Sequence, residues 1–545
     1  MFSHHSKGSP RPRLLSCFHP PKTVWGVLPA IGLAAGMASS HLLAEDKPSP
    51  ADKPNIIVIL TDDLGYGDAR VNNPEAKTQT PCLDQLAADG MNFSDGHASS
   101  SLCSPSRYGL LTGRYAWRTS LKKGVLAANA PLLITENCDT LASMLQRNGY
   151  YTAIIGKWHL GLGNGTDIQT KFSTAPEGLK PGPNERGFDY SYILPSSGNM
   201  APHCYLKNLQ PVNGVDDSPS PPFAQWKMIK STGAYPAPLG YDGGRLAPGF
   251  DPNFDANPSA TARFNKMVPH LASEAVSLID SRATQPTGQP FFLYFALPSP
   301  HTPWVPDIDT TGMSDEQLYI AYVNETDAVV GQLVATLKKD GLWKNTMIVF
   351  SSDNGPELRR FNIAQAGYSP AGPLRGMKSD LYEGGHREPF IVTWPGHLPP
   401  ASTSHQVICL SDLYQTFATL VGDHRPPGLV GGEDSVDFSA LFQGQSVDTP
   451  LRADLVNHSG HGHFAIRMGE WHYLDWPGGG GYVAADHNAE GTPGQLFNLA
   501  NDIGEKHNLY NSQPERVAEM KAALDKILGR DAPASWDTKD SANGD

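Results

Sequence analysis

Two pairs of oxygen-bearing side chains stand directly after apolar runs. Asp62 and Asp63 follow Asn55–Leu60 (NIIVIL), and Asp353 and Asn354 follow the run Thr346–Ser351. A continuous apolar run reads as a strand buried on both faces, so each pair is carried on a strand end. Four oxygen donors brought from two strand ends suit a hard divalent cation, Ca²⁺ or Mg²⁺, better than zinc, which prefers nitrogen and sulfur. Taken singly, each pair would serve equally well as a helix or turn cap. Cys103, in Cys103-Ser104-Pro105-Ser106-Arg107, is either a nucleophile or a small buried residue. Lys157 and His159 follow another strand, His301 follows a further one, and Lys378 lies in a Gly-containing loop. These are groups that bind anions or move protons.

The elements that must position these residues alternate between strand and helix. Thr80-Pro81 opens a helix with Thr80 as its N-cap. Asp139–Asn148 reads as a helix feeding the strand Tyr151–Ile155, and Pro290–Leu297 (PFFLYFAL) as a strongly buried strand. Leu318–Lys339 is a long amphipathic helix with Ser314 near its start, and Phe390–Trp394 is one more strand. This alternation predicts an α/β domain: a large mixed, mostly parallel sheet sandwiched by helices, with ligands at strand C-terminal ends. After Val447 the pattern changes to short strands (Phe464–Met468, Trp471–Leu474) and a closing helix entered through a Ser512–Glu515 capping box. The expected organisation is therefore a leader (1–44), a linker (45–53), a catalytic domain (54–447), a smaller α+β C-terminal subdomain (448–530) and a tail (531–545). Residues Met200–Ala262, rich in Pro, Gly and Asn, form a long loop of the kind that selects substrates.

The chain has 545 residues and a net charge of −13, which excludes a whole-surface nucleic-acid binder but leaves room for a small cationic pocket. Lys7, Arg11, Arg13 and Lys22 precede an apolar run from Val24 to Ala38, and Glu45 and Asp46 follow Ala44. That is the pattern of a cleaved export signal; an uncleaved anchor is the alternative. A secreted or periplasmic protein without stable membrane association is expected. Six cysteines are too few for a disulfide scaffold. Cys82, Cys138, Cys204 and Cys409 are expected to be unpaired, with one disulfide allowed after export.

The stretch Cys103-Ser-Pro-Ser-Arg107-Tyr-Gly-Leu-Leu-Thr-Gly-Arg114 resembles the signature of the formylglycine-dependent sulfatases of the alkaline-phosphatase superfamily. Gly156-Lys-Trp-His-Leu-Gly161, Pro300-His-Thr-Pro303, Leu374-Arg-Gly-Met-Lys378 and Glu383-Gly-Gly-His-Arg-Glu-Pro389 are similar to further segments of that family. So is Gln495–Leu499 with Asn501, Asp502 and Glu505, and the matches span nearly all of the chain after the leader. His386 and Glu388 vary within an otherwise matching loop.

The resemblance implies a sulfatase-like fold and hydrolysis of a sulfate ester, of a sugar or an aryl alcohol. It implies oxidation of Cys103 to formylglycine by a maturation enzyme, and Ca²⁺ (Mg²⁺ as the alternative) held by Asp62, Asp63, Asp353, Asn354 and the modified residue 103. Arg107 and Lys157 would position the hydrated aldehyde. Ser197, or its neighbour Ser196, would hold the sulfate with His301 and Lys378. His301 or Lys378 would protonate the leaving alcohol, and His159 would take the proton whose loss expels sulfate from a sulfo-enzyme. A phosphomonoester or phosphonate-monoester hydrolase and a non-catalytic binder of sulfated glycans are the competing functions. The spacing of His458, His461 and His463 allows zinc, substrate contact or a plain loop.

Overall fold

The computed structural model describes Lys53–Arg530 apart from residues 129, 165–178, 201–204, 213–240, 243–244, 247–264, 286–287, 358–366, 444–446, 448 and 483–490. The leader, nearly all of the linker, the tail and most of the Met200–Ala262 loop lie outside the described residues.

A ten-stranded sheet forms the centre. Its order is Ser402–Ser404, Met91–Phe93, Phe390–Thr393, Thr346–Ser352, Asn55–Thr61, Phe291–Ala296, Tyr151–Lys157, Tyr190–Leu194, Leu206–Lys207 and Gln210–Pro211. The five strands from Thr346–Ser352 to Tyr190–Leu194 are mutually parallel, as the buried runs require, whereas Phe390–Thr393 pairs antiparallel with both its neighbours. Alternate residues of Asn55–Thr61 serve opposite faces. Ile56, Val58 and Leu60 join a core with Tyr108, Leu111, Leu141, Leu145 and Phe417. Ile57 and Ile59 join another with Leu83, Leu86, Leu271, Tyr322, Val330 and Leu333. Helices thus cover both faces, which is the expected layering.

The expected helices are present with shifted ends. Leu141–Arg147 is capped by the Thr140 hydroxyl, which accepts the Ser143 amide, and Asp315–Lys339 by the Ser314 hydroxyl, which accepts the Gln317 amide. Two caps differ from expectation. The Thr80 hydroxyl accepts the Arg70 amide and makes no cap bond to the helix Pro81–Ala88. The closing helix Pro514–Leu528 starts from Gln513, and the Ser512 hydroxyl turns back to donate to the Leu509 carbonyl. In both, Pro at the first helical position fixes φ without needing a side-chain cap.

A four-stranded antiparallel sheet, Leu455–His458, Phe464–Met468, Trp471–Leu474 and Gln495–Asn498, makes up the C-terminal part, and Pro514–Leu528 packs on it through Val517, Met520 and Leu524. Among the described residues no helix is long and apolar enough to cross a membrane. Cys82, Cys103, Cys138 and Cys409 are buried, Cys103, Cys138 and Cys409 as free thiols, and Cys204 lies outside the described residues.

Candidate active site

Because Thr346–Ser352, Asn55–Thr61, Phe291–Ala296 and Tyr151–Lys157 are adjacent and parallel, their C-terminal ends converge, and the residues that follow them meet. These are Asp353–Asn354, Asp62–Asp63, His301 and Lys157–His159. Close approach of two of the strands explains the glycine in Gly156-Lys157. At φ 113° it faces Ala296, and an added Cβ would lie 1.9 Å from the Ala296 carbonyl oxygen. Cys103 is the first residue of the helix Cys103–Thr112.

The predicted residues are all buried, and their side chains interlock. The Cys103 thiol donates to Asp62 Oδ1 at 3.6 Å. Lys157 Nζ donates to both Asp62 oxygens at 2.7 and 2.8 Å. Arg107 Nε donates to Asp353 Oδ2 at 2.8 Å, and one terminal nitrogen to the Lys157 carbonyl at 3.1 Å. Asn354 Nδ2 and the Lys378 ammonium both donate to Asp63 Oδ1, while His301 Nε2 stands 3.7 Å from Asp63 Oδ2. Asp63 and His159 have φ of 67° and 55°. Left-handed backbone at a non-glycine residue costs about 1–3 kcal/mol and gathers where geometry is functionally constrained.

Electrostatics follows from this packing. Burial alone would raise the Asp62 carboxyl, but Lys157, His301 and Arg107 outweigh it and hold the group below its ordinary value. Burial likewise opposes a charged Lys378, yet Asp63, Cys103 and Asp62 keep its ammonium protonated well above the usual lysine value. The Cys103 thiol is pushed up to about 12 by burial, so as a bare thiol it is a weak nucleophile at neutral pH. His159 is driven well below its ordinary value by burial and then by Lys157 and Arg107, and so is neutral. The Leu126 carbonyl, 2.8 Å from His159 Nε2, can only accept; the ring proton therefore sits on Nε2 and leaves the Nδ1 lone pair bare, buried and without a hydrogen-bond partner. In His301 the Thr302 carbonyl, 2.7 Å from Nδ1, fixes that proton in the same way, and Nε2 faces the site.

Several atoms are poised for something other than protein. Asp63 Oδ2, Asn354 Oδ1 and the Ser197 hydroxyl are buried without hydrogen-bond partners. Asp62, Asp63, Cys103 and His301 bring one ligand atom each within 4.8 Å of one another. The Asp62 and Asp63 carboxylates, with the unpartnered Asn354 amide oxygen, are hard oxygen donors, which fits a cation such as Ca²⁺. Ser197 lies on the turn after Tyr190–Leu194, where Pro195 accepts the His159 amide and Gly198 approaches Pro303. Ser196 instead donates to the Met200 sulfur. That leaves Ser197 as the unengaged hydroxyl.

His458, His461 and His463 do not come together as a metal-ligating group among the described residues. His458 is buried at the end of a strand, His461 is exposed, and His463 stacks on Trp476 at 3.5 Å. Strand alternation and a tight turn separate what linear spacing suggested. A cavity of 760 Å³ lies elsewhere, lined by Asp95, Arg387, Arg452 and Arg467 among others, and contains none of the predicted site residues. The Leu126 carbonyl that orients His159 carries no sequence signal at all.

The sulfatase family model matches residues 54–423. The chain belongs to the sulfatase family. It is 30% identical over 529 residues to the N-acetylgalactosamine-6-O-sulfatase of Bacteroides thetaiotaomicron, covering 92% of this chain and 98% of that one. It is 33% identical to arylsulfatase A of Bos taurus over 91% of this chain and 89% of the relative. A Bacteroides thetaiotaomicron structure from work on the metabolism of multiple glycosaminoglycans superposes with a TM-score of 0.73 at 28% identity, covering 88% of this chain and all of the other. A structure in complex with a neocarrahexaose gives a TM-score of 0.63 at 26% identity, over 89% and 94% of the two chains. The sulfatase is accordingly a sulfuric ester hydrolase, and the expected fold class holds.

Proposed function

We propose that this sulfatase is exported, secreted or periplasmic, and removes sulfate from a sulfated carbohydrate by means of a formylglycine made from Cys103 by a maturation enzyme. The observation that carries the reading is the placement of Cys103, buried at the head of its helix and 3.6 Å from Asp62 within a cluster of oxygen ligands and cations. The carbohydrate preference rests on the N-acetylgalactosamine-6-O-sulfatase relative and the oligosaccharide-bound neighbour.

Asp62, Asp63, Asp353 and Asn354, with residue 103, would hold Ca²⁺. Bound there, the ion supplies fixed positive charge that offsets repulsion between the sulfate oxygens and an incoming nucleophile. The hydrated aldehyde supplies two hydroxyls on one carbon, one to attack sulfur and the other to drive release of sulfate. Arg107 and Lys157 fix the floor of the site by their bonds to Asp353 and Asp62. Lys378, locked on Asp63, and the unengaged Ser197 hydroxyl bind sulfate oxygens. His301, whose Nδ1 proton is tied to Thr302, presents Nε2 to the departing alcohol and, in its doubly protonated form, gives the Nε2 proton to it, returning to the neutral ring. His159 receives a proton at its bare Nδ1 when sulfate leaves.

The test is free-sulfate release from a panel of sulfated mono- and oligosaccharides, aryl sulfate and aryl phosphate. Turnover of at least one sulfated sugar above aryl sulfate supports the reading. Preference for aryl phosphate over every sulfate ester would refute it.

A further inference from the structure

A second buried cluster of ionisable groups sits between the catalytic sheet and the C-terminal sheet. Asp95 and His97 come from the segment leading to Cys103, and Glu383, His386 and Arg387 from the turn that follows Lys378. Arg467, His472 and Glu505 come from the C-terminal part. Asp95 takes a bidentate pair from Arg467 at 2.9 and 2.7 Å, and Glu383 Oε2 accepts from Arg387 at 3.0 Å and Arg467 at 3.1 Å. Glu505 meets His472 Nδ1 at 2.8 Å and accepts the Glu383 amide at 2.8 Å. Tyr66 lies under Arg387, 5.5 Å from its guanidinium carbon.

The ring nitrogens of His97 and His386 do not balance if both are neutral. His386 Nε2 is 3.0 Å from the Leu381 carbonyl, which only accepts, so the proton is on Nε2. His97 Nε2 is 2.8 Å from Asp95 Oδ1, and Asp95 stays ionised because Arg387 and Arg467 outweigh its burial. That nitrogen too carries a proton. The remaining contact, His97 Nδ1 to His386 Nδ1 at 3.0 Å, needs one proton between two lone pairs. With every one of these contacts a hydrogen bond, the two rings together hold three protons and one positive charge. Burial holds His97 below its ordinary value and His386 down to about 3 even with Asp95 and Glu383 facing the pair; what opposes it is the contact geometry, since two neutral rings would press their lone pairs together in a dry site.

The pair touches the machinery on both sides. The Ala98 amide donates to the His386 carbonyl at 2.7 Å, pinning the segment that enters Cys103. Across the Glu383 turn, the Gly355 amide donates to the Gly385 carbonyl at 2.9 Å, directly after Asp353 and Asn354. Gly385 also packs so tightly on the Asp380 and Met377 carbonyls that a Cβ would stand 2.2 and 2.9 Å from them, next to Lys378.

We propose that His97 and His386 share one extra proton and act as a cationic positioning pair, holding the Glu383 turn, and through it Asn354 and Lys378, for sulfate-ester hydrolysis. Losing the proton at alkaline pH releases the turn and lowers activity. The sign follows from linkage: if the three contacts hold the shared proton above the ordinary histidine value of about 6.5, its contribution to stability is full below that pH and is lost as pH rises through the pair's own value. The inference rests on the sulfatase activity alone and is independent of how Cys103 is modified.

The two positions separate under substitution. His386→Gln can still accept from His97 Nδ1 and donate to Leu381, so His97 keeps its charge and the alkaline limb of the rate profile persists. His97→Gln cannot be cationic, and it forces His386 to abandon Leu381. A tenfold or greater fall in kcat, a raised KM and disappearance of that alkaline limb are expected. Profiles of kcat and KM against pH for the wild type and both variants read this directly. ¹⁵N spectra of histidine-labelled wild-type enzyme at pH 7, assigned by the two variants, should show three protonated ring nitrogens in the pair. A wild-type alkaline limb in His97→Gln would overturn the proposal, as would one proton per ring in the wild type, or a metal ion bound to the two rings.

Discussion

Replacing Lys157 by methionine tests the electrostatic logic of the site, because Lys157 and Asp62 are both 0% exposed and joined at 2.7 and 2.8 Å. Two unit charges about 3 Å apart attract by roughly 5–6 kcal/mol at an effective dielectric of about 20. The partner left behind keeps weaker contacts, the Cys103 thiol at 3.6 Å and Arg107 at 3.8 Å. Removing one member of a buried pair costs about 3–5 kcal/mol, since the other charge stays desolvated. Lys157→Met should therefore destabilise the chelator-treated enzyme by about that amount, read from denaturant midpoints and slopes. Adding Ca²⁺ should recover most of the loss, because a cation on Asp62 replaces the missing ammonium, whereas activity should stay low. Equal destabilisation with and without Ca²⁺ would refute the claim that Asp62 is shared between Lys157 and a metal ion.

Cys103→Ala should abolish sulfate release while leaving the circular dichroism spectrum and the unfolding midpoint close to wild type; retained turnover would remove residue 103 from the chemistry. His301→Ala should lose about 10²–10⁴-fold in kcat on a sugar sulfate and markedly less on a nitrophenyl sulfate, whose leaving group needs no proton. An equal loss on both substrates would shift His301 from proton donor to sulfate binding. Glu388 is buried with neither oxygen hydrogen-bonded, and burial holds its carboxyl well above the ordinary value. A raised carboxyl binds its proton in the fold and not in the unfolded chain, so it lowers stability as pH rises above the ordinary carboxylate value. Glu388→Gln should stabilise the enzyme more at pH 8 than at pH 5, measured by denaturant midpoints; the opposite ordering would show an ionised Glu388.

The parallel centre of the sheet was legible because Asn55–Leu60 and Phe291–Ala296 are unbroken apolar runs, and such runs have one stable environment. The outlying strands were not. Met91–Phe93 and Ser402–Ser404 are three residues long, too short for any period to emerge, and exist because neighbouring chain offers free backbone groups. Within the site, Asp62, Asp63, Asp353 and Asn354 could be found because their strands announce where they end. The His159 tautomer could not, since it depends on a backbone carbonyl 33 residues earlier. The His97–His386 pair was hidden for the same kind of reason: its members are 289 residues apart, and its charge follows from which acceptors surround it.

The mass of the peptide spanning Cys103, isolated from enzyme that has just been shown to release sulfate, bears most directly on the mechanism. A peptide lacking the cysteine sulfur and two hydrogens and carrying one added oxygen, the aldehyde, is the predicted result. An unaltered thiol at residue 103 in fully active enzyme would contradict it.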